Sequence, residues 1–86
     1  MLKINDKVVF REVEDKIVLI NLESGFYYSL NEIGCFIFKR ILKNKNPCEI
    51  LEEIKHSYDV SEERADQDLG EFLDTLTREN IVVQYN

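Results

Sequence analysis

Apolar residues recur along this chain with two different periods, and the change falls at Asn31. Before it the period is two. Residues 8–14 alternate apolar and polar through Phe10, Arg11, Glu12 and Val13, which predicts a strand. Glu14-Asp15-Lys16 is a polar break of hairpin length. Residues 17–22, Ile-Val-Leu-Ile-Asn-Leu, are nearly all apolar and predict a central strand covered on both faces. Glu23-Ser24-Gly25 makes the next turn, where glycine supplies positive φ. A third strand is expected over 26–30, Phe-Tyr-Tyr-Ser-Leu, so the N-terminal third reads as a three-stranded antiparallel meander.

After Asn31 the period is 3.6. A helix is expected over 31–44, with Asn31 as its cap, Leu30 as a staple residue, and Ile33, Phe36, Ile37, Ile41 and Leu42 on one face. Asn46-Pro47 with Glu49 opens a second helix over 47–57, whose stripe is Ile50, Leu51, Ile54 and Tyr58. Ser61 caps a third over 61–79, with Glu62 and Glu63 where the helix dipole favours acids. At 100° per residue Ala65, Leu69, Phe72, Leu73 and Leu76 gather on its apolar face, while Arg64, Asp68, Glu71, Thr75 and Arg78 share the adjoining shoulder. Residues 81–85 form a short extended tail. The expected fold class is α+β, three strands then three helices then an extended segment.

Composition narrows what such a fold can do. Eighty-six residues, 44% hydrophobic and 33% charged, make one domain over 1–86 that buries roughly 60–65% of its unfolded surface. No apolar run is long enough to span a membrane, and the start lacks a secretory signal pattern; a cytoplasmic location is the expectation. A net charge of −6 opposes nucleic-acid binding. The basic residues Lys39, Arg40, Lys43 and Lys45 read as a solvated helix end. Cys35 and Cys48 are expected as reduced thiols on separate helices. His56, the sole histidine, leaves no triad, and no metal site or cofactor is expected. The glycines sit singly, so no phosphate loop exists, and the paired carboxylates read as exposed helix faces. No catalytic residue can be named, and the chain is read as a non-enzyme.

What remains is an edge. In meander order the third strand has main-chain groups free to pair with another chain, and Tyr27 and Tyr28 would give side-chain area beside it. The plain alternative makes these tyrosines ordinary core and rim residues.

The run from Leu19 to Asn31, an apolar strand, an acidic turn ending in Gly25, a tyrosine-rich strand and Leu30-Asn31 opening a helix, resembles the PqqD-like family. Ile50 to Ile54, Tyr58-Asp59-Val60 and Asp68 to Leu76 follow the same pattern in order, so the resemblance covers about residues 6–83. Two positions depart: Phe38 stands where many members carry Trp, and Asn80 where others have Gly. The resemblance implies a winged-helix-like precursor-peptide recognition element that holds the leader of a ribosomally made peptide and presents it to a modifying enzyme or leader peptidase. It implies strand addition to the third strand beside the third helix. The peptide-binding residues would be Phe26, Tyr27, Tyr28, Ser29, Asp68, Leu69, Phe72 and Thr75. The intact Tyr-Tyr-x-Leu-Asn form is most similar to the stand-alone leader-binding proteins of lasso-peptide clusters.

Two other readings compete. A winged-helix DNA-binding regulator is opposed by Asp66, Asp68, Glu71 and Asp74 on the third helix. A homodimer pairing through the third strand uses the same edge as a peptide would.

Overall fold

The computed structural model describes residues 2–84, in the order β1 (Leu2–Ile4), β2 (Val8–Val13), β3 (Lys16–Asn21), β4 (Tyr27–Leu30), α1 (Glu32–Leu42), α2 (Pro47–Ser57), α3 (Glu62–Arg78) and β5 (Val82–Gln84). The expected third strand is β4. Tyr85, expected in the C-terminal extended segment, lies outside the described residues.

Two hairpins build an antiparallel sheet ordered β2-β3-β4. The first turns on Glu14 and Asp15, with Val13 opposite Lys16 and Glu14 at φ 59°. The second turns through residues 22–25, and Gly25 takes the positive φ, 79°, that its position suggested. β3 is the central strand, but only one of its faces is covered. Ile17, Leu19 and Asn21 are buried against the helices, while Val18 and Ile20 are half-buried on an open outer face. Its continuous apolar run therefore marks a half-covered strand.

Each helix begins on the cap its sequence offers. The Asn31 side chain accepts from the Gly34 N–H at 2.8 Å. Asn46 and Glu49 form a reciprocal capping box, with Pro47 in the first turn where no N–H is needed. Ser61 accepts from the Arg64 N–H at 3.1 Å. Two helices end on left-handed asparagines. After α1, Asn44 at φ 63° lets Lys45 N–H reach the Arg40 carbonyl; after α3, Asn80 at φ 58° lets Ile81 N–H reach the Leu76 carbonyl.

The core lies between the inner sheet face and the three helices. Ile17, Leu19 and Leu30 meet Ile37, Phe38, Ile41, Ile50, Ile54, Leu69 and Leu76. Phe38, fully buried, belongs to the core face of α1, whereas Leu42 is exposed. Phe10 closes the sheet rim by meeting the Phe38 ring edge-on, centroids 5.1 Å apart.

One pairing has no counterpart in the periodic pattern. β1 and β5 form a separate two-stranded antiparallel sheet, Lys3 opposite Val83. Its neighbour in space is Asn21, the one buried polar residue among those described. The Asn21 amide nitrogen donates to the carbonyls of Glu79 and Asn80, both at 3.3 Å, and its Oδ1 accepts from the N–H groups of Glu23 and Ser24 at 2.9 and 3.2 Å. That side chain fastens the β3–β4 turn to the end of α3.

Asn21→Ala removes all four bonds, leaving the Asn80 carbonyl only its bond from Asn5, and is expected to destabilise the domain by about 2–3 kcal/mol. Asn5→Ala removes two exposed bonds, one to the same Asn80 carbonyl and one from the Lys7 N–H, and should cost only about 1 kcal/mol. Urea unfolding of both variants checks the order; equal losses would make Asn21 an ordinary surface amide.

Candidate functional site

β4 is an edge of its sheet, bonded to β3 alone. The Asn21 N–H donates to the Phe26 carbonyl at 2.9 Å, while the next N–H, of Leu22, turns the other way to the Lys7 carbonyl at 2.8 Å. Alternate residues of β3 thus bond β4 and β2 in turn. Carried along the register Leu19↔Tyr28 and Ile17↔Leu30, Tyr28 and Leu30 direct their main-chain groups to β3. Tyr27 and Ser29 direct theirs to the open edge.

The side chains alternate the other way out of the sheet. Tyr28 and Leu30 point to the helices; Tyr27 and Ser29 lie on the outer face, Tyr27 with 64% of its surface exposed. Beside β4 on the helix side runs a groove of about 460 Å³, lined by Tyr28, Asn31, Ile33 and Ile37 on one flank and by Arg64, Asp68, Glu71, Phe72 and Thr75 of α3 on the other. Glu71 and Phe72 are adjacent and the other α3 residues lie three or four from their neighbours in the wall, so one helical stripe forms it whole. Phe26 stacks on Tyr28, centroids 5.8 Å apart and rings 18° from parallel, extending the aromatic flank.

Gly34 sets the width of this groove. A Cβ there would lie 3.1 Å from both the Phe72 ring and the Asn31 cap oxygen, so any larger residue makes these side chains give by a few tenths of an ångström, and glycine lets the first turn of α1 approach α3 without that shift.

Of the residues expected at the site, the groove brings together Tyr28, Asp68, Phe72 and Thr75, with Phe26 adjoining. Tyr27 and Ser29 offer main chain to the edge while their side chains face away. Leu69 is 4% exposed and packs in the core, supporting the wall from behind. Arg64 and Glu71 complete the wall and were not among the expected site residues, although both share with Asp68 and Thr75 the shoulder that helical spacing defines. Asn31, Ile33 and Ile37, read only as cap and core, also reach the groove.

Polar contacts in the wall are local to α3. Arg64 Nε lies 3.3 and 3.2 Å from the two Asp68 oxygens, and Gln67 Nε2 donates to Glu71 Oε1 at 3.3 Å. Arg78 turns from the groove to pair with Asp74. Perturbed ionisable groups lie elsewhere. Burial, then the charge of Glu32, pushes the Tyr58 phenol above its usual range, and hydrogen bonds donated to Glu62 and Glu52 raise Lys55. Among the described residues no cluster of His, Cys, Asp and Glu could hold a metal ion, and Cys35 and Cys48 are free thiols, one buried and one exposed.

Residues 16–82 match the family described as coenzyme PQQ synthesis protein D (PqqD). No curated protein matches the chain. Two solved structures resemble it. "TbiB1 in complex with the TbiA(beta) leader peptide" is 32% identical over 98% of both chains, with a TM-score of 0.91. "Lasso peptide synthetase B1 complexed with the leader peptide" is 19% identical over 96% of this chain and 98% of that one, with a TM-score of 0.88, and shares the fold.

The Gly34–Phe72 contact is open to test. Gly→Ala inside a helix ordinarily stabilises by about 1 kcal/mol. Here the crowded Cβ should cancel that gain, so Gly34→Ala alone melts no higher than the parent. Adding Phe72→Leu makes room, and the double variant should be more stable than the sum of the single changes by roughly 1 kcal/mol. Additive single effects would mean that the two residues do not set the groove together.

Proposed function

The chain belongs to the PqqD family, and on that premise we propose that it is a non-catalytic recognition element that binds the leader of a ribosomally made precursor peptide. The leader adds as a strand to β4, beside α3, and is presented to a modifying enzyme or a leader peptidase in the cytoplasm. No helix among the described residues is long and apolar enough to cross a membrane.

One observation carries the proposal. A free strand edge with outward main-chain groups at Tyr27 and Ser29 runs beside a preformed groove. Strand addition draws affinity from the main chain and specificity from pockets taking alternate side chains, and this arrangement supplies both. The 32%-identical TbiB1, solved with a leader peptide, supports the same use of the fold. In this reading Tyr28, Phe26, Asp68, Phe72 and Thr75 touch the peptide through side chains, Tyr27 and Ser29 through main chain. Leu69 holds the wall.

The same open edge favours a second reading, pairing of two copies through β4. Size-exclusion chromatography separates them, because a leader that binds the edge must dissolve a β4-paired dimer.

The decisive test is the parity of proline substitutions, read by fluorescence anisotropy with the labelled leader of the precursor made alongside this protein. The parent should bind at about micromolar to tens of nanomolar. Ser29→Pro removes an N–H that faces the open edge. The fold should survive it, melting near Ser29→Ala, while leader binding falls at least about tenfold through a lost hydrogen bond and blocked approach. Tyr28→Pro removes a bond to β3 and should unfold the domain where Tyr28→Ala does not. Leader binding unchanged by Ser29→Pro would place the peptide away from β4.

A further inference from the structure

Three charged side chains line the groove, and two of them answer each other. Arg64 lies against both oxygens of Asp68. Glu71 has, among the described residues, only the neutral amide of Gln67. It is exposed, next in sequence to Phe72 and one turn beyond Asp68 on the groove face of α3. The surrounding field does not compensate it: α3 also carries Glu63 and Asp66, Arg78 and Lys55 are engaged by Asp74 and Glu62, and the chain as a whole bears −6.

The register of β4 decides which residues of an added strand meet this charge. Tyr28 directs its main-chain groups to β3, so a peptide residue opposite Tyr28 forms a close pair without hydrogen bonds across the edge, and its side chain shares the face of Tyr28. Peptide residues two places to either side also enter the groove, at intervals of about 6.8 Å. From Asp68 to Thr75 the helix advances roughly 10 Å, enough to face two such positions.

Resting on the leader-binding reading, we infer that Glu71 is a specificity residue: the peptide this groove accepts carries Lys or Arg at one groove-facing position, and an apolar residue two places away. The basic side chain reaches the Glu71 carboxylate, and the apolar one sits on Ile33 and Phe72. An added strand removes water from Glu71. A peptide with an acidic or apolar residue at that position leaves the carboxylate repelled or unpaired, so the groove rejects as well as selects.

A random twelve-residue peptide library displayed on phage and selected on the immobilised protein tests this with no leader sequence specified in advance. Enriched peptides should share Lys or Arg two places from an apolar residue. They should bind Glu71→Lys at least roughly tenfold more weakly, the loss of one charge-assisted contact, and Glu71→Gln to an intermediate degree. Selection on Glu71→Lys should replace the basic residue with Asp or Glu. Peptides without a shared basic position, or with equal affinity for Glu71→Lys, overturn the inference; if Ser29→Pro still abolishes their binding, the strand-addition reading stands. Enriched peptides indifferent to Ser29→Pro overturn both.

Discussion

The groove between β4 and α3 is tied together at one end by the Asn21 amide, which is buried and fully bonded. Its side chain reaches back to the last carbonyls of α3 and forward to the N–H groups of the β3–β4 turn. Its own N–H holds Phe26 and its carbonyl accepts from Gly25. An apolar residue in this place would strand the Glu79 carbonyl and the N–H groups of Glu23 and Ser24 and leave the Asn80 carbonyl only its bond from Asn5. Because one side chain ties the start of β4 to the end of α3, the two walls of the groove are joined at one end by hydrogen bonds. Beneath the wall, Gly34 under Phe72 brings α1 and α3 together by close packing. A groove braced in both ways is built before any peptide arrives, which lowers the ordering cost of binding.

The ion pairs do not provide that bracing. Arg64–Asp68 and Arg78–Asp74 are exposed i,i+4 pairs, each contributing about 0.5 kcal/mol or less. α3 is oriented by Ala65, Leu69 and Leu76, buried along one face. Its carboxylates are therefore free to vary in the service of recognition, since replacing one costs the fold little. This separation, with apolar residues fixing the helix and charged ones facing the groove, is what makes Glu71 a selective residue without a structural duty.

Much of the fold was legible in the chain because its signals are local. Asn31, Asn46-Pro47-Glu49 and Ser61 each announce a helix by chemistry confined to one turn, and each caps the helix it announces. The helical shoulder Arg64, Asp68, Glu71 and Thr75 was equally legible as a group; what spacing along one helix could not supply was which neighbour it faces. The β1–β5 sheet was invisible for a related reason. The C-terminal half was legible as an extended segment, but three residues at the other end carry almost no periodic signal, and the pairing joins positions some eighty residues apart. Asn21 went unremarked in a strand read as nearly all apolar, and two of its four partners lie 58 and 59 residues away. The open outer face of β3 misled in the opposite direction, because Val18 and Ile20 look like core and are covered only in part. Which residues of β4 face outward required the hairpin register and the parity of its hydrogen bonds, seen where Asn21 bonds Phe26 and Leu22 bonds Lys7.

That register has a consequence for how a held peptide could be used. Side chains of an added strand divide between the two faces of the sheet. Those opposite Tyr28 enter the groove and are consumed in recognition. Those opposite Tyr27 and Ser29 emerge on the outer face beside Tyr27, which also lines a second cavity of about 520 Å³ reaching across the sheet to Val18 and Ile20 of β3 and to Val9, Arg11 and Val13 of β2. Main-chain pairing holds the strand whatever these outward residues are. In the proposed strand addition, half of the captured segment would therefore stay accessible while the other half is gripped, so capture and presentation would be two faces of one added strand.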